Sequence, residues 1–285
     1  MHQLSQPAAS SSEVATMVSH IKMTIILAYK EDVSSLEAAL REEGFAPQTQ
    51  RATYTESELK YSKQSRCFMN HKSAWERAAV TEGYTLICES DFVPCIGLGQ
   101  FPVFWPANDQ RAWGYLYQGS PRLFALVGSP PWFRGHCAPL VAYVVNATVA
   151  RELLGFFEHE LTQYSLHDYF TFDAHLQWFL MGKDCRAYIP LRHYGEHGGI
   201  ANQEHRAFGL SRGGEHHADN LQGRLHFLPQ YAGQSKIRFH GTRLKYRILG
   251  WLRLFSGRWI VKTHVYEVSL ATRIRMMAWG IARLL

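Results

Sequence analysis

Two carboxylates at the end of a short apolar segment are the strongest candidates for chemistry in this sequence. Residues 84–88 read Tyr-Thr-Leu-Ile-Cys, which predicts a buried strand, and they run directly into Glu89, Ser90 and Asp91. Side chains two positions apart on an extended chain point to the same side, so Glu89 and Asp91 can face one ligand. Paired carboxylates with room for water and phosphate oxygens suit Mg²⁺ or Mn²⁺. The alternative is a solvated turn or a helix cap, which is the commoner role of acidic residues after a strand.

A second group of candidates lies in residues 193–235, which are rich in Gly, His and Asn and show no clear periodicity. A loop of this length in a compact domain usually has a function or is mobile. His197 precedes Gly198 and Gly199, which would let the backbone approach another segment closely, so we predict His197 as a third metal ligand. His193 is the alternative, although a surface or capping role is commoner for any single histidine. Three arginines in or beside this region are available for oxyanions: Arg192, Arg206 and Arg212.

Asp173 is the predicted general base. It opens a helical pattern over residues 173–181, and a carboxylate there can accept a proton from an attacking hydroxyl. Its alternative role is to cap that helix, and Asp168 is the second candidate for the base. His71 lies on a helical segment before the acidic pair, where it can contact a bound cofactor or pack in the core.

The segments that must position these residues alternate between strand and helix patterns. They follow in the order strand, helix, strand, helix, strand over residues 22–29, 34–44, 45–54, 56–82 and 84–88. The first helix has Asp32 or Ser34 as its cap and Gly44 as its stop signal. This order predicts an α/β fold with a mostly parallel sheet flanked by helices. Ligands of such sheets bind beyond the carboxyl ends of the strands, where the acidic pair falls.

The segments around the acidic pair resemble family 25 glycosyltransferases, the lipooligosaccharide galactosyltransferase type. Residues 66–75 read Arg-Cys-Phe-Met-Asn-His-Lys-Ser-Ala-Trp, where the family has GCxxSHxxxW followed by a strand that ends in EDD. Here Arg66 replaces the glycine, Asn70 the serine and Ser90 the middle acid. The first and last acids of the motif remain, as Glu89 and Asp91.

Looser similarity continues downstream, so that the resemblance covers residues 21–195. Residues 142–154 are similar to a strand and helix of the family, and residues 172–176, Phe-Asp-Ala-His-Leu, are similar to its vDxxL motif, where an aspartate opens a helix near the acceptor side. The resemblance implies a GT-A-like fold and transfer of a hexose, with inversion, from a nucleotide sugar such as a UDP-sugar. It also implies a bacterial surface glycan or its lipid-linked precursor as acceptor. Mn²⁺ or Mg²⁺ would neutralise the departing diphosphate.

Positive charge is concentrated at the C-terminal end of the chain. The formal net charge is +6, but residues 236–285 contain eleven Lys or Arg and one acid, so this segment carries +10 and the rest carries −4. Two sets of apolar residues recur there at helical spacing. The first set is Leu244, Ile248, Trp251, Leu252 and Phe255, and the second is Val265, Val268, Ile274, Met277, Ile281 and Leu284. A basic amphipathic tail suits an anionic membrane surface, and the alternative is a pair of helices packed on the domain. We expect no nucleic acid partner.

The 285 residues, 46% of them hydrophobic, can bury a full core. We predict a disordered leader at 1–20, a GT-A-like catalytic domain at 21–235 and a basic amphipathic helical tail at 236–285. No stretch approaches the roughly 18 to 20 apolar residues that cross a bilayer. The five cysteines form no CxxC pair, which is typical of reduced thiols. We therefore expect a cytoplasmic protein, with peripheral association at the inner face of the cytoplasmic membrane.

Two other functions remain open at this point. The chain could also be an inactive member of the family, because Ser90 replaces the middle acid of the motif. A metal-dependent hydrolase could take its ligands from His193, His197, His216, His217 and Asp219. A non-catalytic module could bind a membrane or nucleic acid through the basic tail alone.

Overall fold

The computed structural model describes residues 15–119, 121–128, 131–199, 217–262 and 267–285. The strands are β1 (Ile21–Ala28), β2 (Pro47–Arg51), β3 (Tyr84–Glu89), β4 (Phe92–Pro94), β5 (Ala112–Tyr115), β6 (Arg122–Val127), β7 (Trp132–His136), β8 (Ala142–Asn146), β9 (Arg186–Tyr188) and β10 (Gly195–His197). The helices are α1 (Met17–His20), α2 (Ser34–Glu42), α3 (Lys63–Ala78), α4 (Ala147–Gln163), α5 (Phe172–Gly182), α6 (Lys236–Phe255) and α7 (Leu270–Leu284).

Eight of these strands form one mixed sheet, in the order β2-β1-β3-β8-β5-β9-β7-β6, while β4 pairs with β10. β2, β1 and β3 are parallel, as the alternation of strand and helix patterns predicts. Beyond β3 the pairs are antiparallel except for β5 with β9. The prediction of a mostly parallel sheet is therefore wrong for this half, because β6 and β7 are joined by a short hairpin connection rather than a crossover helix.

Both faces of the sheet are buried, which explains why β1 is apolar at nearly every position. Ile25 and Leu27 point into one core cluster with side chains of α3, α4 and α5. Ile26 and Ala28 point into the other cluster, which α2 covers. Burying a Leu or Ile side chain stabilises the fold by about 1.5–3 kcal/mol, so this alternation fixes which face of each strand meets each helix layer.

α3 is shorter than the predicted helix over residues 56–82. It begins after Ser62, whose hydroxyl accepts a hydrogen bond from the backbone N–H of Ser65 over 3.0 Å. After α3 the chain turns at Gly83, where φ is +85°, a left-handed conformation that favours glycine. β3 then carries the chain to the acidic pair.

Part of the predicted leader is ordered. α1 follows Thr16, which forms an antiparallel bridge with Pro102. Met17 is fully buried, and its backbone N–H donates to the carbonyl oxygen of Phe101 over 2.9 Å. A disordered leader ending at residue 20 is therefore wrong for residues 15–20, and residues 1–14 lie outside the described part.

α6 and α7 pack on the domain through one face each, so residues 236–285 are not a separate appendage. Leu254, Trp259, Met276, Trp279 and Leu284 belong to the core cluster of α3 to α5. In the described part of the chain, no helix combines the length and the apolarity that crossing a membrane requires.

Candidate functional site

The Glu89 carboxylate, at the end of β3, is held by a chain of hydrogen bonds that begins in the core. The indole N–H of Trp75 can only donate, and it donates to the Tyr143 hydroxyl over 2.7 Å. The O–H of Tyr143 is then directed to Nδ1 of His71 over 2.8 Å, which leaves Nε2 as the ring nitrogen that donates. The Nε2–H group donates to Oε1 of Glu89 over 3.1 Å. The chain therefore fixes both the tautomer of His71 and the direction of the carboxylate.

His71 acts through Glu89 and does not itself face solvent. The ring is fully buried, with ring centroids of Tyr143 and Phe172 at 5.7 and 5.8 Å. The inner face of α3 carries His71 into the core, where it positions Glu89, and direct contact between His71 and a cofactor stays a prediction.

Asp91 is positioned by the antiparallel pairing of β4 with β10. Nε2 of His197 lies 3.0 Å from Oδ2 of Asp91, and the backbone N–H of Gly198 donates to the Asp91 carbonyl oxygen over 2.8 Å. A Cβ atom at Gly199 would lie 2.2 Å from Oδ2 of Asp91, so a larger residue there would have to displace the carboxylate. The two glycines thus bring the backbone close to Asp91, as their sequence position suggests.

The Asp91 carboxylate has the properties of a cation ligand. Burial alone would raise its pKa, but the charge and hydrogen bond of His197 outweigh burial and hold the pKa below its usual 3.8. Its second oxygen, Oδ1, is buried and has no hydrogen-bond partner in the described part of the chain. A buried anionic oxygen without a partner is costly unless a bound group completes it, so this atom fits a divalent cation.

The three predicted metal ligands take part in two separate side-chain pairs. Glu89 is bound to His71, whereas Asp91 is bound to His197. The role of His197 as a third metal ligand stays a prediction, while the β4–β10 register sets its ring against the Asp91 carboxylate as a hydrogen-bond partner. A histidine in this role orients the carboxylate that would bind the metal.

Within the described residues, Cys67, His71 and Glu89 bring three potential ligand atoms within 4.8 Å of one another. The thiol is a poor ligand here, because burial and then the charges of Glu89, Asp173 and Asp91 raise the Cys67 pKa well above its usual range. Both ring nitrogens of His71 are already hydrogen-bonded. Glu89 and Asp91 remain the better pair for a hard cation.

Asp173 lies in the first turn of α5, and its environment suits a general base. Burial and then the Glu89 charge raise its pKa to about 7. Its Oδ1 accepts the backbone N–H of Ala174 over 3.0 Å, so the carboxylate also contributes to the helix terminus. Asp168, the second candidate, is exposed in a turn before α5. A base with a pKa near neutrality is partly ionised and retains proton affinity, which favours Asp173.

A cleft of about 440 Å³ opens beside the acidic pair at the carboxyl ends of β1 and β3, within the size range of small-ligand sites. It is lined by Leu27, Ala28, Tyr29, Glu31, Tyr54, Lys63, Arg66, Cys67, Asn70, Glu89, Ser90 and Asp91. The lining combines aromatic rings, two cationic side chains and the carboxylates. A ligand with a flat ring system and a charged diphosphate matches that combination.

Several lining residues escaped prediction because they come from separate segments. The rings of Tyr29 and Tyr54 lie 5.2 Å apart, and the Arg66 guanidinium is 5.7 Å from the Tyr54 ring centroid. Asn70 donates to the Ala28 carbonyl oxygen over 3.2 Å. Tyr29 is the one lining residue that the sequence could have identified, because it ends the first strand pattern at the predicted ligand-binding edge.

Within the described residues, the histidines of the hydrolase alternative do not gather into a metal site. The backbone N–H of Gln118 donates to Nδ1 of His193, whose Nε2 then donates to Asp219 over 2.9 Å. Arg283 binds the same Asp219 oxygen over 2.9 Å. Burial and then Arg283 lower the His193 pKa to about 4, so His193 is a neutral structural residue. His217 packs on Tyr231 with ring centroids 4.0 Å apart, and His216, like Arg206 and Arg212, lies outside the described residues.

No model of a known protein family matches this chain, and no curated protein matches it. Among solved structures, the chain is similar to the crystal structure of a glycosyltransferase involved in the glycosylation of the major capsid of PBCV-1. The identity is 14% and the TM-score 0.36, over 59% of this chain and 80% of that one. Similarity at this level does not establish a shared function, so the function below rests on the residues of the site.

Proposed function

We propose that this protein is a glycosyltransferase that moves a hexose from a nucleotide sugar, such as a UDP-sugar, to a bacterial surface glycan or its lipid-linked precursor. The observation that carries the proposal is the joint placement of Glu89 and Asp91 on one cleft at the carboxyl ends of β1 and β3. The unpartnered, buried Oδ1 of Asp91 supports cation binding at this edge.

Different residues of the cleft would bind different parts of the nucleotide-sugar donor. Tyr29 and Tyr54 offer ring faces to the base, and Lys63 and Arg66 offer cationic groups to the diphosphate. Glu89 and Asp91 would hold Mn²⁺ or Mg²⁺, which stabilises the charge that develops on the leaving diphosphate. The two carboxylates need no reorganisation, since His71 and His197 already fix their directions.

Asp173 would take the proton of the acceptor hydroxyl as the new glycosidic bond forms. The acceptor oxygen attacks the anomeric carbon, the bond to the diphosphate breaks, and the proton passes to an Asp173 oxygen. A base on the acceptor side, with the leaving group on the opposite side, gives inversion of configuration. The raised pKa of Asp173 makes it a stronger proton acceptor than an exposed carboxylate.

The five cysteines are unpaired, which is typical of a reducing compartment. We therefore place this activity in the cytoplasm, at the inner face of the cytoplasmic membrane if the acceptor is lipid-linked.

The test is donor turnover across a panel of nucleotide hexoses with Mn²⁺, measured as release of nucleoside diphosphate. Glu89→Gln and Asp91→Asn should each reduce turnover at least about 100-fold, equivalent to a loss of about 2.7 kcal/mol of transition-state stabilisation. Glu158→Gln is the matched control, because it makes the same chemical change as Glu89→Gln at an exposed position on α4. Undiminished turnover in both site variants would reject the metal assignment.

A further inference from the structure

α6 and α7 are fixed in orientation by close contacts. A Cβ atom at Gly250 would lie 2.8 Å from Leu284, and one at Gly280 would lie 2.4 Å from Leu254. Because these glycines let the two helices approach closely, each helix has one face committed to packing.

Outside these contacts, α6 and α7 carry apolar side chains that remain exposed. Their spacing of 3, 4 or 7 residues places each set within a sector of about 80° on its helix, at 100° per residue. The exposed fractions run from 39% at Met277 to 87% at Ile237. The set on α6 is Ile237, Leu244, Ile248, Leu252 and Phe255, and the set on α7 is Leu270, Ile274, Met277, Ile281 and Leu285. We call these ten side chains the apolar stripes.

Basic side chains border the stripes. Arg238 and Lys245 adjoin Ile237 and Leu244 on α6, and Arg275 adjoins Ile274 on α7; all three basic residues are exposed. The sequence of residues 236–285 contains eleven Lys or Arg against one acid. Long cationic side chains can extend from the edge of an apolar stripe to anionic groups above it.

We propose that the apolar stripes form a docking surface for an anionic phospholipid bilayer, with α6 and α7 lying in the headgroup interface. Exposed apolar side chains with cationic borders match an interface that is apolar below and anionic above. Arg243 and Arg283 are paired with Glu196 and Asp219. The other nine Lys or Arg of residues 236–285 still outnumber the single acid, so like-charge repulsion opposes contact with a second copy of the chain. A nucleic acid would satisfy the cations but leave the ten apolar side chains in water or against phosphates.

The docking surface is coupled to the candidate site through Glu196. Arg243 of α6 binds Oε2 of Glu196 over 2.8 Å, and Glu196 precedes His197, the partner of Asp91, on β10. A bilayer against α6 would thus lie at a fixed position relative to the cleft. Presentation of a lipid-linked acceptor rests on the proposed function, whereas binding to the bilayer does not.

The test is co-sedimentation of the full chain with vesicles of phosphatidylcholine alone or with 30% phosphatidylglycerol. We expect binding to the anionic vesicles at least tenfold tighter than to the neutral ones, weakened by 0.5 M salt. Leu244→Gln/Ile248→Gln/Leu252→Gln should weaken it at least tenfold, and Lys245→Gln/Arg275→Gln should reduce the preference for anionic lipid. The matched control is Leu59→Gln/Val80→Gln/Ile96→Gln, which removes three exposed apolar side chains elsewhere. Unchanged thermal transitions would verify folding of all variants.

Equal loss of binding in the control and stripe variants would overturn the proposal, as would equal binding to both vesicle types. Self-association that the stripe variant abolishes, measured by sedimentation velocity without lipid, would assign the surface to a second copy instead. None of these results requires a sugar donor, so failure here is distinguishable from failure of the glycosyltransferase assay.

Discussion

Replacing Asp173 by asparagine should stabilise the protein at alkaline pH while it removes activity. Folding raises the pKa of this carboxyl from 3.8 to about 7 through burial and the charge of Glu89. Between those pH values the native state holds the proton more tightly than the unfolded chain does. Stability contributed by this group is therefore complete below the unfolded pKa and is lost as the pH rises through the folded one.

The size of the effect follows from the linkage slope. One bound proton changes the free energy of unfolding by about 1.36 kcal/mol per pH unit, and the slope acts over about two units between pH 5 and pH 7. The wild type should therefore lose up to about 3 kcal/mol between pH 5 and pH 8 relative to Asp173→Asn, whose amide does not titrate. Turnover of the variant should fall by about 100-fold or more, the typical contribution of a general base.

Urea unfolding at pH 5 and pH 8, analysed with a common slope against denaturant, measures the difference. Asp168→Asn should show no such pH-dependent difference, because Asp168 is exposed. A pH dependence of stability that is the same in wild type and Asp173→Asn would refute the burial of this carboxyl. Full turnover in Asp173→Asn would refute its role as base.

Three further outcomes are expected. Tyr143→Phe leaves the indole N–H of Trp75 without its acceptor, which should cost about 1–3 kcal/mol in urea unfolding and lower turnover by releasing the carboxylate that the hydroxyl chain holds; unchanged stability would contradict the chain. Gly199→Ala should abolish metal-dependent turnover with little change in circular dichroism, because its methyl group would displace Asp91; normal turnover would show that the close approach is irrelevant. Arg283→Met should destabilise the protein by about 3–5 kcal/mol by leaving a buried carboxylate uncompensated, measured by thermal or urea unfolding; a wild-type transition would show that α7 is not anchored there.

The first half of the fold was predictable because its signals are local. β1 ends in a continuous apolar run over residues 25–28, and Gly44 and Gly83 adopt positive φ where the sequence predicts the helices to end. The other half was not predictable, because the antiparallel order after β3 depends on which strands meet in space. Short strands such as β5 and β10 acquire their identity only from pairing.

The site was predictable in its carboxylates but not in what holds them. Glu89 and Asp91 were expected to share a third ligand, yet each is bound to a different histidine brought in by α3 or β10. In residues 236–285, too, the sequence predicts the pattern but not the contacts. Its amphipathic spacing is local, but only the packing of Gly250 and Gly280 decides that Leu284 is buried while Ile281 is exposed.

The most direct test of the central claim is isothermal titration of UDP into the protein with and without Mn²⁺, for wild type and Asp91→Asn. We predict one site per chain whose affinity requires Mn²⁺ in the wild type and falls at least tenfold in Asp91→Asn, because the unpartnered Oδ1 of Asp91 completes the cation's coordination. Binding of equal strength in both proteins, or binding of UDP that ignores Mn²⁺, would contradict a cation-held diphosphate at this edge of the sheet.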